Sequence, residues 1–298
     1  MLLPYQPGDL PAVTRFLGEC WHRDPFRNYH PGDFVHWMSN GYLGQKLEHH
    51  FHLVKENYQI LAVVELSSDT GSYTPVIDPN RRGGDWEIEF HHSCLNVMRE
   101  RMLAKKASTV TVNFAVGDTA VKHCLEQLGF KGKKSTHAVM RRHLTNIPVP
   151  NLPDSFEIRS VAGEHEAQNL ADVHNSAFSP KWTAAKYLKV MRTPGFDIER
   201  ELVVVSPDGR FAAFAVIWLD PVSRSGLFEP VGCHQEFTRR GLTKALMFAG
   251  MVRMKAANME TAHVGYDVTN KASSGLYCSV GFEPYFETVD YVLELQNS

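Results

Sequence analysis

The sequence predicts two α/β domains in tandem, each with a mixed sheet that carries helices on both faces. One observation is the segment from Asn146 to Asp154, which contains three prolines and shows neither helical nor strand periodicity, as a linker would. A second is that the patterns on its two sides follow one order: strand, helix, strands, helix, strand, helix, strands. The third is a set of short landmarks that recurs in both halves.

These landmarks divide the chain into a first domain at residues 1–145, a linker at 146–154 and a second domain at 155–298. Each half contains a Pro-Val pair, then Arg-Arg-Gly, then Gly-Phe. The matching positions are Pro75 and Pro230, Arg81–Gly83 and Arg239–Gly241, and Gly129 and Gly281. We interpret the repeat as an internal duplication.

Hydrophobic periodicity predicts the individual elements. In the first half a helix follows Pro7-Gly8-Asp9, and strands are predicted at Phe51–Lys55, Ile60–Leu66, Thr109–Phe114 and Ala138–His143. In the second half a helix is predicted from about Glu164 to Phe178, and strands at Phe156–Arg159, Leu202–Ser206, Phe211–Leu219, Thr261–Tyr266 and Tyr291–Leu295.

The composition is that of a globular protein, with 43% hydrophobic and 21% charged residues and a formal net charge of -2. This balance does not favour nucleic acid or an anionic membrane as a partner. No apolar run approaches the roughly 20 residues that span a bilayer, and the first residues lack the basic and apolar regions of a signal peptide. We therefore expect a cytoplasmic monomer or homodimer.

Cysteine and histidine usage argues against disulfides and metals. The five cysteines are scattered and odd in number, which fits a reducing compartment. Histidines cluster at His49, His50 and His52, but neighbours in sequence point to different faces. His50 and His52 share a strand face, yet no third ligand accompanies them, so we expect no metal.

Arg239, Arg240 and Gly241 stand at the start of an amphipathic helix that begins near Leu242. Two cations at a helix N-terminus oppose the helix dipole, whereas the dipole, the free backbone N–H groups and the guanidinium groups would all favour a bound anion. The pattern indicates an anion site, with a basic helix start in solvent as the alternative.

This loop resembles the acyl-CoA loop of the GNAT superfamily, whose pattern is Gln/Arg-x-x-Gly-x-Gly/Ala at a helix start. Gly241 matches the middle glycine, while Thr238 and Thr243 differ from the usual first and last residues. The stretch from Asn270 to Phe282 resembles a second signature, Asn-x-x-Ala-x-x-Leu-Tyr-x-x-x-Gly-Phe, with Asn, Leu, Tyr, Gly and Phe in register. The resemblance implies two tandem GNAT-like domains, each a mixed, mostly antiparallel sheet flanked by helices.

The resemblance also implies an acetyl-CoA site in the second half and a role for each matching residue. Backbone amides at the start of the helix would hold the pyrophosphate, the preceding strand would pair with the pantetheine arm, and Tyr277 would lie near the thioester sulfur. The cofactor-binding residues implied in this way are Val231, Cys233, Arg239, Arg240, Gly241, Leu242, Thr243 and Asn270.

The chemistry of acyl transfer to an amine supports two catalytic candidates. The reaction expels a thiolate, and the phenol of Tyr277 can give that sulfur a proton. An amine with a pKa of about 10 is protonated at pH 7, so a base must remove its proton. Glu229 is the candidate, because its neighbours Phe228 and Pro230 would desolvate it. The alternative for Tyr277 is that it is only an aromatic side chain of the core, and the alternative for Glu229 is that it is a carboxylate that faces water.

The first half is predicted to bind no CoA. Leu125, Asp118 and Thr74 occupy the positions of the tyrosine, the asparagine and the glutamate. We expect this half to support the fold and to wall the acceptor pocket, from near Trp21 and His22.

Two structures are open for the residues that follow Arg-Arg-Gly in the first half. A helix that begins there would be capped by Asp85, with acidic residues satisfying its dipole. The alternation of Trp86, Ile88 and Phe90 would equally fit a strand. Both structures disfavour a bound pyrophosphate.

We therefore predict an acetyl-CoA-dependent N-acetyltransferase that acetylates a small amine directly, in a ternary complex. A non-catalytic acyl-CoA-binding or regulatory module is an alternative, motivated by Thr238 and Thr243. A transferase for longer acyl groups or for a hydroxyl acceptor is another. A covalent route through Cys233 is disfavoured, because the adjacent His234 points the other way in a strand. A Rossmann enzyme is disfavoured too, because no Gly-x-Gly-x-x-Gly follows a strand.

Overall fold

The computed structural model describes residues 1–24, 29–178 and 181–295. Its contacts group the chain into two compact units. The first contains Met1–Pro31, Gln45–Ala138 and Phe286–Ser298, and the second contains Gly32–Gly44 and Val139–Tyr285. In the described ranges, no helix is both long and apolar enough to cross a membrane.

Strands and helices are numbered in chain order. The strands are β1 (Leu3–Pro4), β2 (Phe51–Glu56), β3 (Gln59–Ser67), β4 (Ser72–Ile77), β5 (Thr109–Ala115), β6 (Lys131–His143), β7 (Glu157–Ser160), β8 (Glu201–Val205), β9 (Phe211–Asp220), β10 (Ser225–Cys233), β11 (Thr261–Asp267) and β12 (Glu283–Glu294). The α-helices are α1 (Leu10–Arg23), α2 (Pro31–His36), α3 (Asp85–Ala104), α4 (Thr119–Gln127), α5 (Ala167–Ala177), α6 (Ala184–Met191), α7 (Leu242–Ala256) and α8 (Lys271–Ser279).

The first unit is built on strands in the order β1-β2-β3-β4-β5-β12, of which the β4–β5 pair is parallel and the others are antiparallel. Side chains of a strand alternate between its faces, so every second residue of β5 enters the core. Val110, Val112 and Phe114 pack there with Phe90 and Met98 of α3.

The second unit has the strand order β7-β8-β9-β10-β11, with β10 and β11 parallel. Strand β9 is buried on both faces, which explains its almost continuous apolar sequence. Ala213, Ala215 and Ile217 pack on one face with Leu246 of α7, and Phe214 packs on the other with α5. These contacts fix β10 and the start of α7, which carry the predicted site.

The two halves share local conformations at their landmarks. Gly83 has φ +80° and Gly241 has φ +77°, each just before a helix. Asp118 caps α4 by accepting the Val121 N–H at 3.1 Å, just as Asn270 caps α8. These shared conformations support the predicted duplication, and residues 146–154 between the halves form no helix or strand.

Some details differ from the sequence expectations. Residues after Gly84 form the long helix α3, so the strand alternative there is wrong. The N-cap is Gly84 rather than Asp85, and the Gly83 N–H is bound by Glu87 at 2.5 Å. Strands β6 and β12 begin well before the predicted segments. Their first residues are mostly polar, so hydrophobic periodicity did not indicate a strand there.

Candidate active site

Strand β10 has one fully paired edge and one edge that opens. It pairs antiparallel with β9 from Ser225 to Cys233, with an irregularity between Phe228 and Val231. With β11 it pairs only over Ser225–Leu227. The two parallel strands separate beyond that point. In the described ranges this edge of β10 therefore has no strand partner after Leu227.

Val231 and Cys233 direct their backbone groups to the open edge. The N–H of His234 donates to the Ala212 carbonyl of the neighbouring chain segment at 2.9 Å, which orients residue 234 towards β9. Peptide groups alternate in direction along a strand, so the N–H and C=O groups of Val231 and Cys233 face away from β9. An extended chain lying beside β10 would find these groups ready to pair.

Helix α7 begins where this strand ends, after a turn through Gly241, its N-cap, and Arg239, which has φ +61°. A Cβ atom built on Gly241 meets nothing within 4 Å, so the space before the helix is open. The first N–H groups of a helix, here those of Leu242 and Thr243, have no partner within the helix. The first turn contains no acidic residue and the side chains of Arg239 and Arg240 are exposed, as an anion site requires.

Cys233 and His234 do not form a nucleophile–base pair. Burial raises the pKa of the Cys233 thiol, although a hydrogen bond with Thr243 opposes this. The Nδ1 atom of His234 accepts the Glu236 N–H at 3.3 Å and so caps the short turn before Arg239. This geometry agrees with the expectation that a covalent acyl-cysteine route is disfavoured.

Glu229 lies at the irregularity of β10. The indole N–H of Trp218 donates to its backbone carbonyl at 2.7 Å. Its side chain is 33% exposed. Burial of the carboxyl group, and then the charge of Asp33, raise the pKa of Glu229 to about 8. A carboxyl group that titrates near neutral pH suits a general base.

Tyr277 of α8 is 6% exposed and packs against the rings of Tyr266 and Phe282. Burial, and then the nearby charge of Glu229, hold its pKa well above the usual range. The phenol therefore keeps its proton at neutral pH and can donate it.

Asn270 has a structural contact that its predicted cofactor role did not include. Its Oδ1 atom accepts the Ser273 N–H at 3.1 Å and caps α8, the helix that carries Tyr277. Contact between Asn270 and the cofactor stays a prediction.

Sequence reasoning missed His36, which the structure brings to Glu229. The Nε2 atom of His36 lies 3.6 Å from Oε1 of Glu229. Its ring contacts Trp218 edge-on, with centroids 6.3 Å apart. His36 ends α2, in the segment 32–44 that belongs to the second unit. No motif signals this contact. Trp21, the predicted wall residue, is 5% exposed and packs against His30 in the first unit.

The corresponding loop of the first half is filled by its own side chains. Arg82 donates to Asp24 at 3.0 Å, to Glu87 at 2.8 Å and to Asp118. Glu87 is fully buried, and its other oxygen accepts the Gly83 N–H. Burial alone would raise the pKa of Glu87, but His91, Arg82 and this N–H outweigh it and lower the pKa. Carboxylates thus take the place that an anion would need.

Within residues 1–24, 29–178 and 181–295, no group of three or more His, Cys, Asp or Glu side chains is arranged so that it could hold a metal ion. The expectation that no metal is needed stays a prediction.

Residues 167–282 match the model of the acetyltransferase (GNAT) family. The chain is 29% identical over 164 residues to a mycothiol acetyltransferase of Actinosynnema mirum, which covers 52% of this chain and 54% of that protein. It is 26% identical over 215 residues to a mycothiol acetyltransferase of Streptomyces coelicolor, covering 70% and 66%. The chain thus spans between about half and two thirds of the length of these curated relatives.

Solved structures of the same fold cover the whole chain. A GCN5-related N-acetyltransferase from Sphaerobacter thermophilus has a TM-score of 0.65 at 18% identity, over 100% of this chain and 96% of that one. A tandem GNAT protein from the clavulanic acid biosynthesis pathway has a TM-score of 0.67 at 12% identity, over 100% and 99%. These findings confirm the predicted resemblance to GNAT acyltransferases and the α/β fold class.

Proposed function

We propose that this protein is an acetyl-CoA-dependent N-acetyltransferase that transfers the acetyl group directly to a small primary amine, in a ternary complex. Its one acetyl-CoA site lies in the second half of the chain. The observation that carries the proposal is the open edge of β10 at Val231 and Cys233, which is followed along the chain by the start of α7, where free N–H groups would suit an anion. An extended donor with a pyrophosphate matches both features.

Two ionisable side chains, Glu229 of β10 and Tyr277 of α8, support catalysis. Glu229 takes a proton from the bound ammonium group of the acceptor, and the free amine attacks the thioester carbon. The carbon–sulfur bond breaks and Tyr277 gives its proton to the departing sulfur. The attacking nitrogen then gives up its second proton, which returns through solvent to Tyr277, and Glu229 releases the first proton to solvent. The products are the acetylated amine, free CoA and one proton.

The pKa of Glu229 sets the expected pH dependence. At pH 7 only about a tenth of a carboxyl group with a pKa near 8 is ionised, so the rate rises with pH until Glu229 is fully ionised. A base with a higher pKa also accepts a proton from an amine more readily than an ordinary glutamate does.

The test is release of free thiol from acetyl-CoA in the presence of a panel of small primary amines. The proposal predicts amine-dependent thiol release by the wild-type protein and its loss in Glu229→Gln. Binding of acetyl-CoA without turnover of any amine would favour the non-catalytic module instead. Turnover that needs a pre-formed acyl-enzyme would refute direct transfer.

A further inference from the structure

His36 lies close to Glu229 although the two residues are far apart in the sequence. Helix α2 ends at His36 and continues into a π-helical turn at Trp37–Gly41, where the Tyr42 N–H donates to the Trp37 carbonyl. The His36 side chain is 16% exposed, and its Nε2 atom lies 3.6 Å from Oε1 of Glu229. This separation is a few tenths of an ångström longer than a direct N–H···O hydrogen bond, so donation requires a small movement of the carboxyl group or of the ring.

Asn40 determines which nitrogen of His36 carries the proton. The Nδ2 atom of Asn40 lies 3.0 Å from Nδ1 of His36, 3.3 Å from the His36 carbonyl oxygen and 3.1 Å from the Ser39 hydroxyl. A flipped amide would set its oxygen against that carbonyl, so Nδ2 is the donor. Nδ1 of His36 then accepts, and the proton of the neutral ring sits on Nε2, facing Glu229.

His36 is neutral at physiological pH. Burial, and then the charges of His174 and Lys181, lower its pKa to about 4. The ring therefore keeps one proton while the enzyme works. It is a fixed donor and not a second base.

Trp218 contacts both His36 and Glu229 and fixes their positions relative to one another. Its indole N–H binds the Glu229 carbonyl at 2.7 Å, and its ring meets the His36 ring edge-on. Trp218 itself is 3% exposed, so its position is fixed by packing. The main chain of Glu229 and the ring of His36 are thus both tied to one buried side chain.

We infer that His36 is a positioning residue for Glu229: its Nε2–H donates to one carboxylate oxygen, stabilises the ionised form and leaves the other oxygen for the acceptor amine. This inference rests on the proposed function. His36 keeps its proton throughout, and the proton removed from the amine resides only on Glu229. Burial and then the charge of Asp33 oppose the ionisation of Glu229. The charge of Glu229 in turn raises the pKa of Tyr277.

The inference predicts that Glu229 ionises less easily when the donor is lost. His36→Leu keeps the bulk of the side chain but has no donor, whereas His36→Gln places an amide N–H near the position of Nε2. We expect His36→Leu to raise the pKa of Glu229 by about 0.5 to 1 unit. In His36→Gln the pKa of Glu229 should stay close to its wild-type value. At pH 6.5, kcat/KM should fall about 3- to 10-fold in His36→Leu and recover above pH 9.

The decisive readout is independent of turnover. The carboxyl carbon of Glu229 is titrated by NMR in full-length protein labelled with ¹³C-glutamate, and its signal is assigned by its loss in Glu229→Gln. An upward shift of the midpoint in His36→Leu that His36→Gln reverses supports the inference. An unmoved midpoint, with kcat/KM reduced equally at every pH, shows that His36 only packs and overturns it. His123→Gln, at an exposed position in α4, is the control and should change neither.

Two further outcomes are distinguishable. If His36→Leu does not fold, Asn40→Leu takes its place: it frees the ring to move its proton to Nδ1, so the Glu229 midpoint should rise in the same direction, and an unmoved midpoint overturns the inference. If the wild type binds acetyl-CoA and acetylates no amine while the midpoint still responds to His36, the proposed function fails and the pairing of His36 with Glu229 stands.

Discussion

The Nε atom of Arg82 lies 2.8 Å from Oε1 of Glu87, inside the loop that corresponds to the proposed acetyl-CoA loop of the second half. Arg240, at the matching position, is exposed, and among the described residues it contacts the Glu236 carbonyl, at 3.4 Å, and the ring of Phe237. Arg82 is engaged in ion pairs within the protein, whereas the guanidinium of Arg240 is available to bind a ligand. This contrast is the structural basis for assigning a single cofactor site.

Arg82→Met should destabilise the protein by about 3–5 kcal/mol, because it leaves the buried Glu87 and its partners Asp24 and Asp118 without a cation. The measurement is the midpoint of urea unfolding. Arg240→Met is the matched variant: it should change stability by less than about 0.5 kcal/mol and weaken acetyl-CoA binding. The reverse pattern would show that the roles of the two loops are exchanged.

Gly241→Ala should raise the Kd for acetyl-CoA about tenfold or more, because the loop loses its left-handed turn and a methyl group enters the space before α7. Gly83→Ala places the same change at φ +80° in the first half. Each substitution should destabilise the protein by about 1 kcal/mol, and Gly83→Ala should leave the Kd for acetyl-CoA unchanged. Equal effects on Kd would contradict a site confined to the second half.

Tyr277→Phe should lower kcat about 10- to 100-fold and leave the Kd for acetyl-CoA within about twofold, because it removes only the proton donor. Steady-state thiol release and calorimetry measure the two quantities. Tyr58→Phe, at a fully exposed position, is the control and should change neither. A kcat unaffected by the loss of the Tyr277 hydroxyl would remove this residue from the mechanism.

Glu229→Gln should lower kcat/KM about 100-fold at pH 8 and move the midpoint of its rise with pH up to the pKa of the free amine, about 10. In the wild type this limb should have a midpoint near the raised pKa of about 8. Glu157→Gln, at an exposed position in β7, should keep the wild-type profile. A profile with its acidic limb intact in Glu229→Gln would identify another base.

The same pKa predicts how Glu229 affects stability. The folded protein holds this proton up to about pH 8, whereas the unfolded chain releases it near 4.5. The neutral carboxyl therefore carries no penalty below pH 4.5, and stability is lost as the pH rises from 4.5 to 8. Relative to the wild type, Glu229→Gln should gain about 1–2 kcal/mol between pH 5 and pH 9, a modest value because a third of the side chain is exposed. Urea unfolding at the two pH values measures this gain, and a constant difference would contradict the raised pKa.

Local patterns in the sequence predicted much of the fold and the loop. Gly241 and the start of α7 follow from a glycine before an amphipathic run, and Tyr277 and Asn270 follow from a signature with fixed spacing. Such features depend on residues close in sequence, so one chain suffices to find them.

The contact between His36 and Glu229 could not be predicted in this way, because it joins segments far apart in sequence. The segment from Pro31 to Gly41 forms a short helix and a π-helical turn, and neither has a periodicity that sequence reasoning detects. The capping role of Glu87 was missed for a related reason. Asp85 is an ordinary helix cap by residue type, whereas Glu87 turns back to the loop because it binds the guanidinium of Arg82 and the N–H of Gly83.

We propose one acetyl-CoA site per chain, formed by the second half. Calorimetric titration of acetyl-CoA into the intact protein measures the number of sites most directly. We expect a stoichiometry of one, with a Kd that is unchanged in Gly83→Ala and greatly raised in Gly241→Ala. Two sites per chain, or one site that survives Gly241→Ala and is lost in Gly83→Ala, would contradict it.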